Sequence, residues 1–259
     1  MISDEKKHRF GRQILFSGWG VNGQQKLGAA AVVQVGCGAL GSTLAQLMVR
    51  AGVGRYAIID GDAPDLTNLH RQCLFDETDV AAKTNKAEAA GAKLGLADPS
   101  VKIKAIPEVL TAANADEFLA GHDLVLDALD NMETRLIIND WCVKHRVPWI
   151  YGGVAAASGM SMTIIPGQGP CLRCLFPDPD AAEHAATTQA VGIINAAPVV
   201  IAALQATEAQ KILIGSQDLV RDFRVLDLWS GDWQSFAVKR NEKCPCCGKG
   251  EFIFLEGEE

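Results

Sequence analysis

Three glycines, Gly36, Gly38 and Gly41, stand in the pattern G-x-G-x-x-G directly after a short apolar run, Ala31–Val35. Glycines at this spacing let a chain turn sharply from a buried strand into a helix, and they let a phosphate approach the backbone N–H groups at the helix start. Asp60 lies 19 residues past Gly41 and ends the next apolar run, Tyr56–Ile59. An acidic residue there is placed to accept hydrogen bonds from ribose hydroxyls. Asp130 closes a third run, Asp123–Leu129. Each landmark follows the carboxyl end of an expected strand, the edge where open α/β sheets bind ligands. A carboxylate at that edge, far along the chain from the glycine loop, suits a magnesium ion carried by phosphates. The alternative is that Asp130, with Asn131, caps the following helix; both roles can coexist.

The glycine loop alone does not separate a dinucleotide from ATP. The basic residues do. Arg12, Arg71 and Lys86 occur in RFGRQ, NLHRQ and KTNKAE. Fixed arginines hold triphosphate oxygens bidentately, and a lysine can offset charge growing on an α-phosphate. A dehydrogenase needs no such set, and taken singly each is an ordinary surface charge, so the argument rests on their combination. Of eight cysteines, four form two C-x-x-C pairs, Cys171/Cys174 and Cys244/Cys247. Two such knuckles fit one tetrahedral zinc in a closed, structural site. Cys246 is an alternative ligand by position, and a redox C-x-x-C is the alternative reading. Cys37, Cys73 and Cys142 read as small buried or half-buried residues.

These residues need a scaffold. After a polar, helical first 30 residues broken by Gly18, Gly20 and Gly23, apolar runs and helical stretches alternate. Strands are expected at 31–35, 56–59, 101–106, 123–129 and 149–151, and helices at about 42–51, 80–96, 111–120 and 133–145. That alternation predicts an α/β fold with a doubly wound, Rossmann-like, mostly parallel sheet covered by helices on both faces. Beyond residue 151 the pattern predicts a strand at 161–165, a long helix over 192–214 bent or interrupted near Pro198, and strands at 224–229 and 234–238 around a Ser230-Gly231-Asp232 turn. This C-terminal antiparallel extension carries the zinc site. With no repeat and no linker, 1–259 reads as one domain, with a nucleotide-binding half (1–150) and a second half (151–259) packed on it.

Composition excludes other classes. The chain has 259 residues, 48% hydrophobic and 21% charged, which is globular rather than disordered. A net charge of −7 and only 16 aromatic residues argue against nucleic-acid binding. The start, MISDEKKHRF, lacks an apolar leader, and the apolar stretch from Val191 to Leu204 is too short to span a bilayer. A cytoplasmic protein without membrane contact is expected.

In order, RQ near the start, GCGALGS, IIDGD, NLHRQ, NKAE, LDALDN, CLRCLFP, QATEAQK and CPCCG resemble the ubiquitin-activating-type adenylyltransferases over residues 9–249. The chain is most similar to the bacterial branch that serves molybdopterin and thiamine synthesis. The resemblance implies a reaction of ATP and Mg²⁺ with the C-terminal glycine carboxylate of a small ubiquitin-fold sulfur-carrier protein ending in Gly-Gly. Its products are an acyl adenylate and pyrophosphate. It implies that Asp60 holds the ribose, that Asn68 and Arg71 hold phosphates, that Lys86 neutralises the α-phosphate and that Asp130 binds magnesium. Gly36, Gly38, Ala39, Gly41, Asp62 and Asn131 would line the nucleotide. It also implies a homodimer in which Arg12 reaches the partner subunit's nucleotide, a Zn²⁺ on Cys171, Cys174, Cys244 and Cys247, and the involvement of a sulfur donor protein.

The chain departs from the family pattern in three places. Thr188 stands where many relatives carry a crossover-loop cysteine, and a threonine hydroxyl does not replace a thiolate without an activating base. Adenylation without an enzyme thioester is therefore expected. Lys83 competes with Lys86 for the α-phosphate, since the segment Asp79–Lys86 is one residue longer than in the family pattern; the Lys-Ala-Glu register favours Lys86. Ala39 replaces a frequent glycine at a position that needs only backbone contact. The polar stretch 178–189 is expected to order only around a bound carrier. Three other readings stay open: an NAD-dependent oxidoreductase, a related enzyme adenylating a peptide C-terminus or a tRNA base, and a non-catalytic scaffold of the same fold.

Overall fold

The computed structural model describes residues 2–178 and 191–256. Its strands are β1 (Ala31–Val35), β2 (Arg55–Ile59), β3 (Lys102–Ile106), β4 (Leu124–Asp127), β5 (Trp149–Ala155), β6 (Ser158–Ile164), β7 (Phe223–Asp227) and β8 (Asp232–Phe236). They form one eight-stranded sheet in the order β3-β2-β1-β4-β5-β6-β7-β8. The pairings from β3 to β5 are parallel. Those from β5 to β8 are antiparallel, so the last three strands extend the same sheet.

The direction of strand order reverses between β1 and β4, which opens a crevice at their carboxyl ends. Alternation along β1 builds both cores. Val32 faces the helix Ala39–Arg50 through Leu40, Leu44 and Met48, while Val33 and Val35 face the helix Met132–His145 through Leu136, Ile138 and Trp141. Every residue of β1 is buried, as expected for a central parallel strand. The 19-residue helix Ala196–Ile214 lies against Ala39–Arg50, β5 and β6. It is long and apolar enough to cross a membrane, but it is a core helix here, with Ile201, Ala202 and Ala206 in the interior.

Several boundaries differ from the sequence reading: the helix expected over 80–96 is two, Glu77–Ala82 and Lys86–Ala97, the long helix begins at Ala196, and the last two strands are Phe223–Asp227 and Asp232–Phe236. The strand expected to run to Leu129 ends at Asp127, because the Asp127 carboxylate accepts the N–H of Leu129 (2.9 Å) and turns the chain out of the sheet. The strand expected to stop at Tyr151 continues through Gly152 and Gly153 to Ala155, paired along its length with β6. Pro198 does not interrupt its helix. It sits in the first turn, where its missing N–H has no intrahelical partner to lose.

Candidate functional site

The glycine loop joins β1 to the helix Ala39–Arg50 at the crevice. Gly36 is left-handed (φ +90°), and a Cβ there would lie 2.5 Å from the Ala128 carbonyl oxygen. A Cβ on Gly41 would collide with the Gly36 carbonyl, so this glycine lets the helix close against the strand end. Gly38 is the N-cap residue and offers no side-chain cap, which leaves the helix start to other acceptors. Asp60 faces this loop. Its Oδ2 accepts the Cys37 N–H (2.6 Å) and its Oδ1 the Asp62 N–H (2.9 Å). Burial raises the Asp60 carboxyl above the usual range, opposed by Lys86 and by these two N–H groups.

Lys86 begins the helix Lys86–Ala97, capped by Asn85, whose Oδ1 accepts the Ala87 and Glu88 N–H groups. Asn85 Nδ2 also donates to the Asp60 carbonyl (2.8 Å), which fixes this helix start to the end of β2. The Lys86 side chain is buried and its Nζ lies 2.9 Å from Asp62 Oδ2. Lys83 is exposed, at the left-handed end of the preceding helix (φ 51°). The lysine beside Asp60 and Asp62 is therefore Lys86.

The remaining sequence-derived residues are placed as follows. Asn68 completes a capping box with Asp65, accepting the Asp65 N–H at 3.2 Å. Arg71 folds over the same turn and donates to the Thr67 carbonyl (2.7 Å). Asp130 is exposed in the loop after β4, and its carboxylate accepts no hydrogen bond from a described residue. The cap of the next helix is made by Asn131, whose Oδ1 accepts the Thr134 N–H (2.9 Å), so the capping role falls on the neighbour of Asp130. Arg12 stands apart. Its neighbour Gln13 donates to the Ala51 carbonyl (2.9 Å) just ahead of β2, so Arg12 lies at the amino ends of the strands, opposite the glycine loop. Within one chain it does not join the cluster. Thr188 lies outside the described residues.

Sequence reasoning missed the residues that hold this edge from below. Asp127 and Arg135 form a buried ion pair (Nε to Oδ2, 3.0 Å). Arg135 also donates to the carbonyls of Leu129 and Gly152, and Asp127 Oδ2 accepts the Gly152 N–H (3.2 Å). Burial raises the Asp127 carboxyl, with Arg135 opposing. From the long helix, Gln205 Nε2 donates to the carbonyls of Asp127 (2.7 Å) and Ile150 (3.2 Å). Gly152 makes room for it, since a Cβ there would lie 2.5 Å from Gln205 Nε2. The available signal was a charge closing an otherwise apolar run, LVLD, which must have a buried partner.

A second cluster lies beyond β6. The sulfurs of Cys171, Cys174, Cys244 and Cys247 lie within 4.8 Å of one another. Neighbouring sulfurs are 4.0, 3.7 and 3.4 Å apart for Cys171–Cys174, Cys171–Cys244 and Cys174–Cys247, against about 3.8 Å between the corners of a tetrahedral zinc–thiolate site. This donor set fits zinc. Cys246 lies beside Cys171 but outside the four-sulfur group: its sulfur accepts from Asn139 Nδ2 (3.2 Å), while Asn139 Oδ1 accepts the Leu172 N–H (2.8 Å). Asn139 thereby ties both knuckles to the helix Met132–His145. Cys37 and Cys142 are buried as expected, but Cys73 is exposed, with its sulfur against the side chains of Ser42, Thr43 and Gln46 on the helix Ala39–Arg50.

The sequence profile described as the ThiF family matches residues 10–246. The chain belongs to the ThiF family. It is 39% identical over 255 residues to the Bacillus subtilis sulfur carrier protein ThiS adenylyltransferase, covering 96% of this chain and 74% of that one. It is 36% identical over 250 residues to the Thermus thermophilus sulfur carrier protein adenylyltransferase (94% and 92% covered). Among solved structures, Escherichia coli MccB with MccA-N7isoASN superposes with a TM-score of 0.81 over 93% of this chain and 75% of that one; at 22% identity this shows a shared fold. Membership makes this ThiF-family chain a nucleotidyltransferase, of the class that transfers an adenylyl group.

The Asp127–Arg135 pair generates a stability prediction. Arg135→Met should strand a carboxylate in the core and cost about 3–5 kcal/mol. Chemical denaturation checks it, and Asp127→Asn added to Arg135→Met should recover part of the loss.

Proposed function

We propose that the chain adenylates the C-terminal glycine carboxylate of a small ubiquitin-fold sulfur carrier. The observation that supports this most is Lys86, a buried ammonium held beside the glycine loop and Asp60 by an exchangeable aspartate, Asp62. In this reading the triphosphate lies over Gly36, Gly38, Ala39 and Gly41, with the ribose on Asp60 and the phosphates on Asn68 and Arg71. Lys86 leaves Asp62 for the α-phosphate. One carboxylate oxygen of the carrier attacks the α-phosphorus in line; the new O–P bond forms as the bond to the bridging oxygen breaks, and pyrophosphate departs with the electron pair. A carboxylate is already a nucleophile at neutral pH, so no general base is required, and acceleration comes from positioning and charge neutralisation.

Asp130, with Asn131 beside it, would hold Mg²⁺, which supplies charge neutralisation on the phosphates. Zn²⁺ on the four cysteines would be structural and closed to substrate. The carrier is proposed to lie over residues 151–259, where β8 leaves the sheet edge exposed along its length. With Thr188 at the crossover position, the adenylate is passed on without an enzyme thioester. Arg12, at the opposite end of the strands from its own glycine loop, is assigned to the site of a second copy in a homodimer. A sulfur donor then acts on the released adenylate, in the cytoplasm.

The reading is tested by ATP–pyrophosphate exchange with Gly-Gly-ended carriers, recording the intact mass of each. Exchange with an AMP-sized mass gain on one carrier is expected, and Asp130→Ala should abolish it while the protein stays folded. Exchange with a peptide C-terminus alone would replace the carrier by a peptide. Metal analysis should find about one zinc per chain, and removal by a chelator should unfold the C-terminal lobe.

A further inference from the structure

Gln34 is a polar residue in the middle of the central strand, and it is completely buried. A buried amide is costly unless every group is paired. Here every group is. Gln34 Nε2 donates to the carbonyls of Gly36 (2.8 Å) and Gly41 (3.2 Å), the first and last glycines of the loop. Its Oε1 accepts the hydroxyl of Tyr56 on the adjacent strand β2 at 2.6 Å. Tyr56 is itself in the core, and burial raises its phenol well above the usual range, so it remains a donor.

The consequence lies in the geometry of the peptide group. In a trans peptide the C=O and the following N–H point in opposite directions. Drawing the Gly36 carbonyl inward onto Gln34 turns the Cys37 N–H outward, and that N–H is the one Asp60 Oδ2 accepts at 2.6 Å. Drawing the Gly41 carbonyl inward holds the first turn of the helix on the strand end, in the place a side chain at residue 41 would occupy.

We propose that Gln34 and Tyr56 are positioning residues for the nucleotide, setting the Gly36–Cys37 peptide and through it the orientation of Asp60. This rests on the reading that the glycine loop and Asp60 hold ATP. A leucine would fill the same space without orienting either carbonyl.

The test compares Gln34→Leu, Tyr56→Phe, the double variant and Lys86→Ala, each in the full-length protein. ATP binding is measured by calorimetry, KM for ATP and for the acceptor by pyrophosphate exchange, and stability by denaturation. Gln34→Leu should weaken ATP binding about tenfold, the scale of one lost hydrogen bond, with KM for the acceptor unchanged. Tyr56→Phe, which removes one oxygen and keeps the fold, should show a smaller loss in the same direction. The double variant removes both partners of the inner hydrogen bond and should regain stability relative to Gln34→Leu, yet keep the weakened ATP binding. ATP binding that recovers with stability in the double variant, or that is unaltered in all three while Lys86→Ala weakens it, would overturn the proposal alone. ATP binding unaltered in Lys86→Ala as well would overturn the site reading and this inference with it.

Discussion

An ion pair buried between the end of β4 and the helix Met132–His145 constrains the carboxyl edge. Asp127 and Arg135 are both buried, and each hydrogen bond their side chains make besides the one to each other is to the backbone of a strand end or loop at that edge. Charges in such a place are tolerated only when fully paired. The pairing therefore dictates where β4 stops, where the loop bearing Asp130 leaves the sheet, and how Gly152 on β5 sits beside it. Gln205 adds the same constraint from the covering helix, with its amide fitted into the space that the missing Gly152 side chain leaves.

A parallel arrangement serves β1 and β2 on the other side of the crevice. There the buried polar group is an uncharged amide, Gln34, and its bonds run to the glycine loop. The two halves meet where a Gly36 Cβ would strike the Ala128 carbonyl, just past Asp127. In the candidate site, re-orientable groups (half-buried Arg71, exposed Asp130 and the exposed Asp62 that holds Lys86) thus stand around a glycine loop and a β4 end that interior polar groups hold fixed. This division suits phosphoryl chemistry, in which catalysis is largely positioning and electrostatics. The cysteine cluster fastens the tail of the chain to the helix Met132–His145 through Asn139.

The strand pattern and the glycine loop were legible because apolar runs bounded by glycine or aspartate are local signals. Two kinds of feature were not. Strand β5 runs through Gly152 and Gly153, where small residues erase the local strand signal; its pairing with β6 carries the strand through them, and Gln205 fills the space a side chain at Gly152 would take. The interior polar residues form bonds across long sequence separations, as between Asp127 and Gln205 or Gln34 and Tyr56, and nothing local names the partner. Each was nevertheless marked by being polar within an apolar run, VVQV or LVLD. The carboxylates at the edge show the same limit. Asp130 and Asn131 are adjacent and share cap chemistry, and only the backbone geometry assigns the cap to Asn131.

The central claim is that this edge is a nucleotide site built around Lys86. The most direct measurement is a crystal structure of the protein with magnesium and a non-hydrolysable ATP analogue. The account predicts phosphates on the glycine loop, the ribose on Asp60, the Lys86 ammonium moved from Asp62 to the α-phosphate, and the metal on Asp130. A nucleotide bound elsewhere, or bound at the loop with Lys86 still paired to Asp62, would contradict it.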